Sequence, residues 1–254
     1  MKISRHCLRV ENPQELVEFY SGILGMRDFG KPDEPLLGYD GDQCLLELTG
    51  GASSPYRSRP DGLYWKIGIT VRDLDTAVAY LATRGCAVTA PRQFKDIGYM
   101  SHLHDPQGFA IELLQQGFEG RAGAPGDGHP IGGQATLAHI TLRVNDINAA
   151  RDYCENRLQM RLMSVQPVED YGFCLYFFAW SDEALPEPDL KAVANREWLW
   201  ARPYALLELQ HVFSGHATEP EPGSSAAGFT GFGWIGGDMQ AHQYVPLRDL
   251  KSLL

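Results

Sequence analysis

Three glutamates stand in the same frame: Leu45-Leu46-Glu47-Leu48, Ala110-Ile111-Glu112-Leu113 and Leu206-Leu207-Glu208-Leu209. Upstream of each lies a second apolar strand pattern, opening with Arg5-His6-Cys7-Leu8-Arg9-Val10, Lys66-Ile67-Gly68-Ile69-Thr70-Val71 and His139-Ile140-Thr141-Leu142-Arg143-Val144. Successive side chains of a strand face opposite ways, so a Glu flanked by apolar neighbours points off the core and into a cavity. The same alternation sends Leu8 and Val10 to the core and Arg5, Cys7 and Arg9 to the cavity face; Lys66, Gly68 and Thr70 follow them, while His6 points the other way. A sequestered carboxylate can act as general base on a carbon acid beside a carbonyl, and Arg or Lys can hold an anionic or carbonyl oxygen. A His and a Glu together suit a divalent ion. His102 and His104, two residues apart, share one strand face and read either as ligands or as ordinary polar strand residues.

The elements that must position these groups repeat as one β-α-β-β-β unit. In the first, a strand over 3–10 leads into Asn12-Pro13-Gln14-Glu15, a capping box with Pro at the first helical position. A helix then runs to about Leu24, Gly25 closes it, and strands near 26–30, 34–40 and 43–49 follow. The second unit has a strand over 63–71, Asp73 as N-cap, a helix to about Arg84 stopped by Gly85, and strands near 86–91, 97–104 and 109–116. Asp105-Pro106-Gln107-Gly108 turns the last two strands. Residues 117–136, rich in Gly, Ala and Pro, read as a linker. The third unit begins near 137, with Asp146 capping a helix to about Leu158 and longer insertions before a strand over 204–210. A fourth opens at Phe232-Gly233-Trp234-Ile235-Gly236-Gly237, but 239–254 is too short to complete it. The expectation is an α+β protein of two domains: 1–116 with two modules, the linker, and 137–254 with one full and one truncated module. The unpaired sheet edge of the second domain calls for cover by the C-terminal tail or by a second subunit, so a homodimer is expected.

A net charge of -10 among 254 residues disfavours nucleic acid and anionic membrane surfaces as partners, since both need a basic footprint. Five scattered cysteines without a CxxC pair signal neither a disulfide framework nor a thiolate zinc site. Met1 leads straight into a strand pattern and no apolar run approaches a membrane span, so a cytoplasmic protein is expected.

Several pieces carry a more specific signal: Leu8-Arg9-Val10 with Phe19-Tyr20 and Leu24-Gly25-Met26, the DPxG turn before Ile111-Glu112-Leu113, and Leu142-Arg143-Val144. Tyr176-Phe177-Phe178-Ala179, Leu207-Glu208-Leu209 and Gly231-Phe232-Gly233 add to it. Together they resemble the vicinal oxygen chelate superfamily, the glyoxalase I, bleomycin resistance and extradiol dioxygenase group, and the third unit is most similar to glyoxalase I. The resemblance implies that paired modules enclose a cavity and that a divalent metal is held by four side chains, one from the first and one from the last strand of each module. Carried over, it gives the first domain Arg5, Glu47, Lys66 and Glu112, two cations and two carboxylates that suit crossed salt bridges better than a metal. Three readings of that set stay open: a structural relic, a metal-free binding site, or a metal site that recruits His6, His102 or His104. The second domain receives His139 and Glu208, half a ligand set, with Trp234 at the third position. Two third modules paired across a dimer would complete His-Glu-His-Glu around one Zn, Ni, Mn or Fe per dimer; otherwise no cofactor is implied.

The resemblance thus implies a glyoxalase I-like protein acting on a small carbonyl or polar metabolite, with Glu208 and Glu47 as catalytic candidates. Arg5, Arg9, Lys66, Glu112 and Arg143 are its substrate-binding candidates. Arg9 and Arg143 match an arginine that holds a glutathione carboxylate in the family, while Val212 and Thr230 replace the Asn and Arg expected beside them. The other reading is a metal-free protein that binds or sequesters a small molecule in a salt-bridged N-terminal cavity.

Overall fold

A computed structural model describes residues 1–31, 33–124, 128–214, 225–236 and 242–250. Linker residues 125–127 and tail residues 239–241 and 251–254 lie outside the described residues. The first module comprises β1 (Lys2–Arg9), α1 (Pro13–Gly22), β2 (Arg27–Asp28), β3 (Leu36–Gly38) and β4 (Leu45–Thr49). The second comprises β5 (Tyr64–Val71), α2 (Leu74–Thr83), β6 (Arg92–Phe94), β7 (Gly98–His104) and β8 (Ala110–Gln115). The third has β9 (Thr136–Val144), α3 (Ile147–Asp152), β10 (Arg161–Val168), β11 (Phe173–Ala179), α4 (Ala194–Trp200) and β12 (Leu206–Val212). β13 (Gly228–Ile235), β14 (His242–Pro246) and α5 (Leu247–Leu250) form the shortened fourth.

The helix starts follow their caps. Asn12 accepts from the Glu15 N–H at 3.4 Å, Asp73 from Thr76 at 3.0 Å, and Asp146 from Asn148 and Ala149 at 3.0 Å, satisfying donors that the first turn leaves unpaired. Gly25 and Gly85 end their helices at φ +73° and +76°, a conformation that costs glycine little. The α3 helix passes into a π-turn over Tyr153–Arg157. In the second module, 86–91 is not a strand; it contributes only a bridge from Val88 to Leu103, and β6 begins at Arg92.

Two sheets result, in orders β14-β13-β1-β4-β3-β2 and β10-β11-β12-β9-β5-β8-β7-β6. The second module therefore joins the third through β5 and β9, and the first joins the fourth through β1 and β13. This corrects the expectation that modules one and two enclose a cavity together, because the sheets run across the 117–136 segment. Every module presents the same kind of first strand, so alternation within a strand cannot choose its neighbour. Local fit does: Gly68 lies opposite His139, and a Cβ there would stand 2.0 Å from the imidazole. The open edge that suggested a second subunit is filled within the chain by β5.

One apolar cluster lies where helices and sheets meet. It joins Leu16 and Tyr20 of α1, Leu74 and Leu81 of α2, Ile67 and Ile69 of β5, Ile140 and Leu142 of β9, and Phe229 and Phe232 of β13. The second-module turn is anchored on the first module: Tyr20 Oη donates to Asp105 Oδ2 at 3.0 Å, and Gln107 accepts from the Glu11 N–H at 2.9 Å. A second cluster joins Met100, Leu114, Met163, Leu175 and Phe177 of the eight-stranded sheet to Trp200 of α4.

Candidate functional site

The β5 and β9 ladder is symmetric in register: Lys66 pairs with Thr141, and Gly68 with His139. Each strand also has a parallel partner at the same offset, Gly68 beside Glu112 and Thr141 beside Glu208. Lys66 is thus the counterpart of His139, and Glu112 that of Glu208, about a local two-fold. All four converge in one chain and are buried, none more than 4% exposed. The Lys66 ammonium contacts Glu112 Oε2 and lies 4.3 Å over the Trp65 ring. His139 Nε2 crosses between modules, 3.2 Å from Glu112 Oε1 and 3.3 Å from Glu208 Oε2. It lies off the line of a directed hydrogen bond to either oxygen. Thr141 Oγ1 donates to Glu208 Oε2 at 2.6 Å.

His102 completes the cluster. β7 pairs with β8 so that His102 lies beside Glu112, and its Nε2 is 3.0 Å from Glu112 Oε2. Burial by itself would raise the Glu112 pKa; the Lys66 charge, the bond to His102 and the close approach of the His139 ring overcome it and hold the carboxyl well below the usual range. Glu112 is therefore a fixed anion that anchors the ammonium and the imidazole. Glu208 meets a hydroxyl and the shared imidazole instead.

These groups open on a cavity of about 200 Å³. Its walls are aromatic and aliphatic, chiefly Trp65, Phe94, Met100, Phe173, Phe177 and Trp200, with Arg92 also lining it. The third-module insertion builds one wall: α4 brings in Trp200, whose indole donates to the Ile97 carbonyl at 3.0 Å, and Arg196, which is 2.6 Å from Asp96 Oδ1. An apolar chamber with a few convergent polar groups is the usual form of a small-molecule site.

Residues 2–113 match the sequence model of the Glyoxalase/Bleomycin resistance protein/Dioxygenase superfamily. The fold aligns with glyoxalase I from Zea mays at a TM-score of 0.62 and 20% identity, covering 84% of this chain and 68% of that one. A mutant of the maize enzyme aligns at 0.61 and 20%, covering 84% and 69%. The chain carries the glyoxalase-superfamily fold. A lactoylglutathione lyase of Arabidopsis thaliana is 24% identical over 186 residues, 69% of this chain, and the match spans 60% of that relative's length.

Glyoxalase-superfamily proteins typically bind a divalent metal. Here Glu112, His139 and Glu208 are suitable donors, but the remaining position of the symmetric set carries Lys66, whose ammonium already sits on Glu112. An ammonium offers donors only. Among the described residues no group of three or more His, Cys, Asp or Glu side chains is arranged to hold an ion. The residues present do not fit the metal. The expected site shared across a dimer is also corrected: His139 and Glu208 meet Lys66 and Glu112 of their own chain, because β5 occupies the edge a second copy would need.

The other sequence candidates separate. Arg5 and Glu47 form a 3.8 Å ion pair in a groove of the six-stranded sheet, lined also by Cys7 and Tyr244, with Glu47 39% exposed. They do not join Lys66 and Glu112. Arg9 lines a different groove with Phe229 and Arg248. Arg143 stands 4.7 Å over Trp65, bonded to Gln210 and to the Arg59 carbonyl, so it supports a cavity wall. Trp234 packs 5.3 Å from Trp180. His104 is exposed at the end of β7, and His6 is buried between Tyr64 and Phe229. Sequence reasoning left His102 open between a ligand and an ordinary polar strand residue, and the DPxG hairpin sets the register that brings it beside Glu112. Sequence reasoning missed Thr141, the inward position beside Glu208 two residues after His139.

Proposed function

We propose that this protein is a glyoxalase-type enzyme that moves a proton on the carbon beside a carbonyl in a small compound with a largely apolar body. The supporting observation is the unequal pair of buried carboxylates at the floor of the aromatic chamber: Glu112 is neutralised by Lys66, while Glu208 meets the Thr141 hydroxyl and the His139 ring. Glu208 is the general base. Thr141 orients it through Oε2, and His139 holds it in register with Glu112. Lys66 and His102 face the same chamber and stabilise charge that develops on the carbonyl oxygen. The aromatic walls exclude water and hold the rest of the substrate. The relatives' names supply the reaction class only; the Arg143 contacts do not support a glutathione carboxylate at that residue.

The reading is tested by hydrogen–deuterium exchange into 2-hydroxyacetophenone in D2O, followed by proton NMR. Enzyme-dependent exchange at the carbon beside the carbonyl is expected, reduced roughly 10²–10⁴-fold by Glu208→Gln with ligand binding retained. Exchange that survives Glu208→Gln unchanged would remove Glu208 from this role.

A further inference from the structure

We infer that the Lys66 ammonium stands in the place of a divalent ion, so that this cavity is built to work without metal and to present a protein cation to its ligand's oxygen. The register carries the argument. Lys66 and His139 are two-fold equivalents, as are Glu112 and Glu208, so the four side chains form the symmetric frame in which an ion would be shared between modules. One corner of that frame is a cation. Its charge is already matched, since Nζ lies against Glu112 Oε2 and the same oxygen receives His102 Nε2 at 3.0 Å. An incoming divalent ion would have to compete for that oxygen and share a dry chamber with the ammonium.

The lysine has no route aside. It is 3% exposed and packed over the Trp65 ring, which Arg143 backs from 4.7 Å. The rest of the frame remains suited to a metal: His139 Nε2 lies between Glu112 Oε1 and Glu208 Oε2 at 3.2 and 3.3 Å without a directed hydrogen bond to either. Gly68 is what makes room for that ring, because a Cβ at 68 would stand 2.0 Å from it. One residue therefore separates this site from a four-ligand one.

This inference rests on the site proposed above, but its test reads metal binding, so failure of the catalytic reading leaves it intact and measurable. The full chain, its Lys66→His form and its Lys66→Gln form are each dialysed against Zn2+, Ni2+ or Mn2+ with the excess removed. Metal per chain is then measured by mass spectrometry, and affinity by calorimetry. The parent is expected to retain no ion, and Lys66→His to retain one per chain, lost again when Glu208→Gln is added. Lys66→Gln removes the charge and introduces an amide oxygen that can act as a ligand, so it is expected to gain binding in the same direction; it decides the matter if the histidine form does not fold. A parent that holds one ion per chain released by Glu208→Gln overturns the inference, as do folded Lys66 variants that hold none.

Discussion

His6 sits on β1 where the two sheets meet, its ring 5.4 Å from Tyr64 and 5.5 Å from Phe229, with neither ring nitrogen hydrogen-bonded. Complete burial lowers its pKa from 6.5 to about 3, since a charged imidazole there would have no solvent and no counter-ion. The unfolded chain binds the proton below pH 6.5 and the folded chain does not, so acid pulls toward unfolding through that window. The penalty is about 1.4 kcal/mol for each pH unit below 6.5 and approaches about 5 kcal/mol near pH 3. Asp105 works in the opposite sense: burial raises its pKa to about 6, so the folded state holds its proton more tightly between pH 6 and 3.8. Asp105 offsets part of the histidine slope, and carboxylates held low, such as Glu112, add their own, so the parent's profile alone does not isolate His6. The comparison with His6→Phe isolates the histidine, because Asp105 is common to both. Urea unfolding at pH 7, 6, 5 and 4 should show the variant gaining on the parent by about 1.4 kcal/mol per unit on descending below pH 6.5. Parallel profiles would refute the reasoning, and His6→Leu repeats the test if phenylalanine overfills the site.

Further outcomes follow from the site. Gly68→Ala places a methyl 2.0 Å from the His139 ring, so it should cost about 1–3 kcal/mol by thermal or urea unfolding and abolish exchange activity; a stable, active variant would mean that the ring is not confined there. Glu112→Gln leaves a buried ammonium without its anion and should cost about 3–5 kcal/mol, most of it recovered by adding Lys66→Met, as read from a double-mutant cycle in urea. Independent, additive effects would show that the pair is not coupled.

The module architecture was legible in the sequence because it is local. Caps at Asn12, Asp73 and Asp146, the stops at Gly25 and Gly85, and alternation in the strands determine each β-α-β-β-β unit from within. The inward direction of Glu47, Lys66, Glu112 and Glu208 followed from the same alternation, while His139 entered through the family resemblance. Which modules pair did not, because all first strands look alike from inside a module. The decision rests on contacts between distant residues: Gly68 against His139, and β1 against the glycine-rich β13. That one step moved Lys66 and Glu112 away from Arg5 and Glu47 and put them with His139 and Glu208. The aromatic chamber was hidden for a related reason, since Trp200 arrives on an insertion whose landing point, the Ile97 carbonyl, belongs to another module.

The claim that Lys66, Glu112, His139 and Glu208 of one chain form the working site, and that the Arg5 and Glu47 groove does not, is tested most directly by exchange into 2-hydroxyacetophenone. Parent, Glu208→Gln and Glu47→Gln would be assayed side by side with chelator present. The account predicts exchange by the parent and by Glu47→Gln at equal rates and its loss in Glu208→Gln; loss in Glu47→Gln with full activity in Glu208→Gln would contradict it.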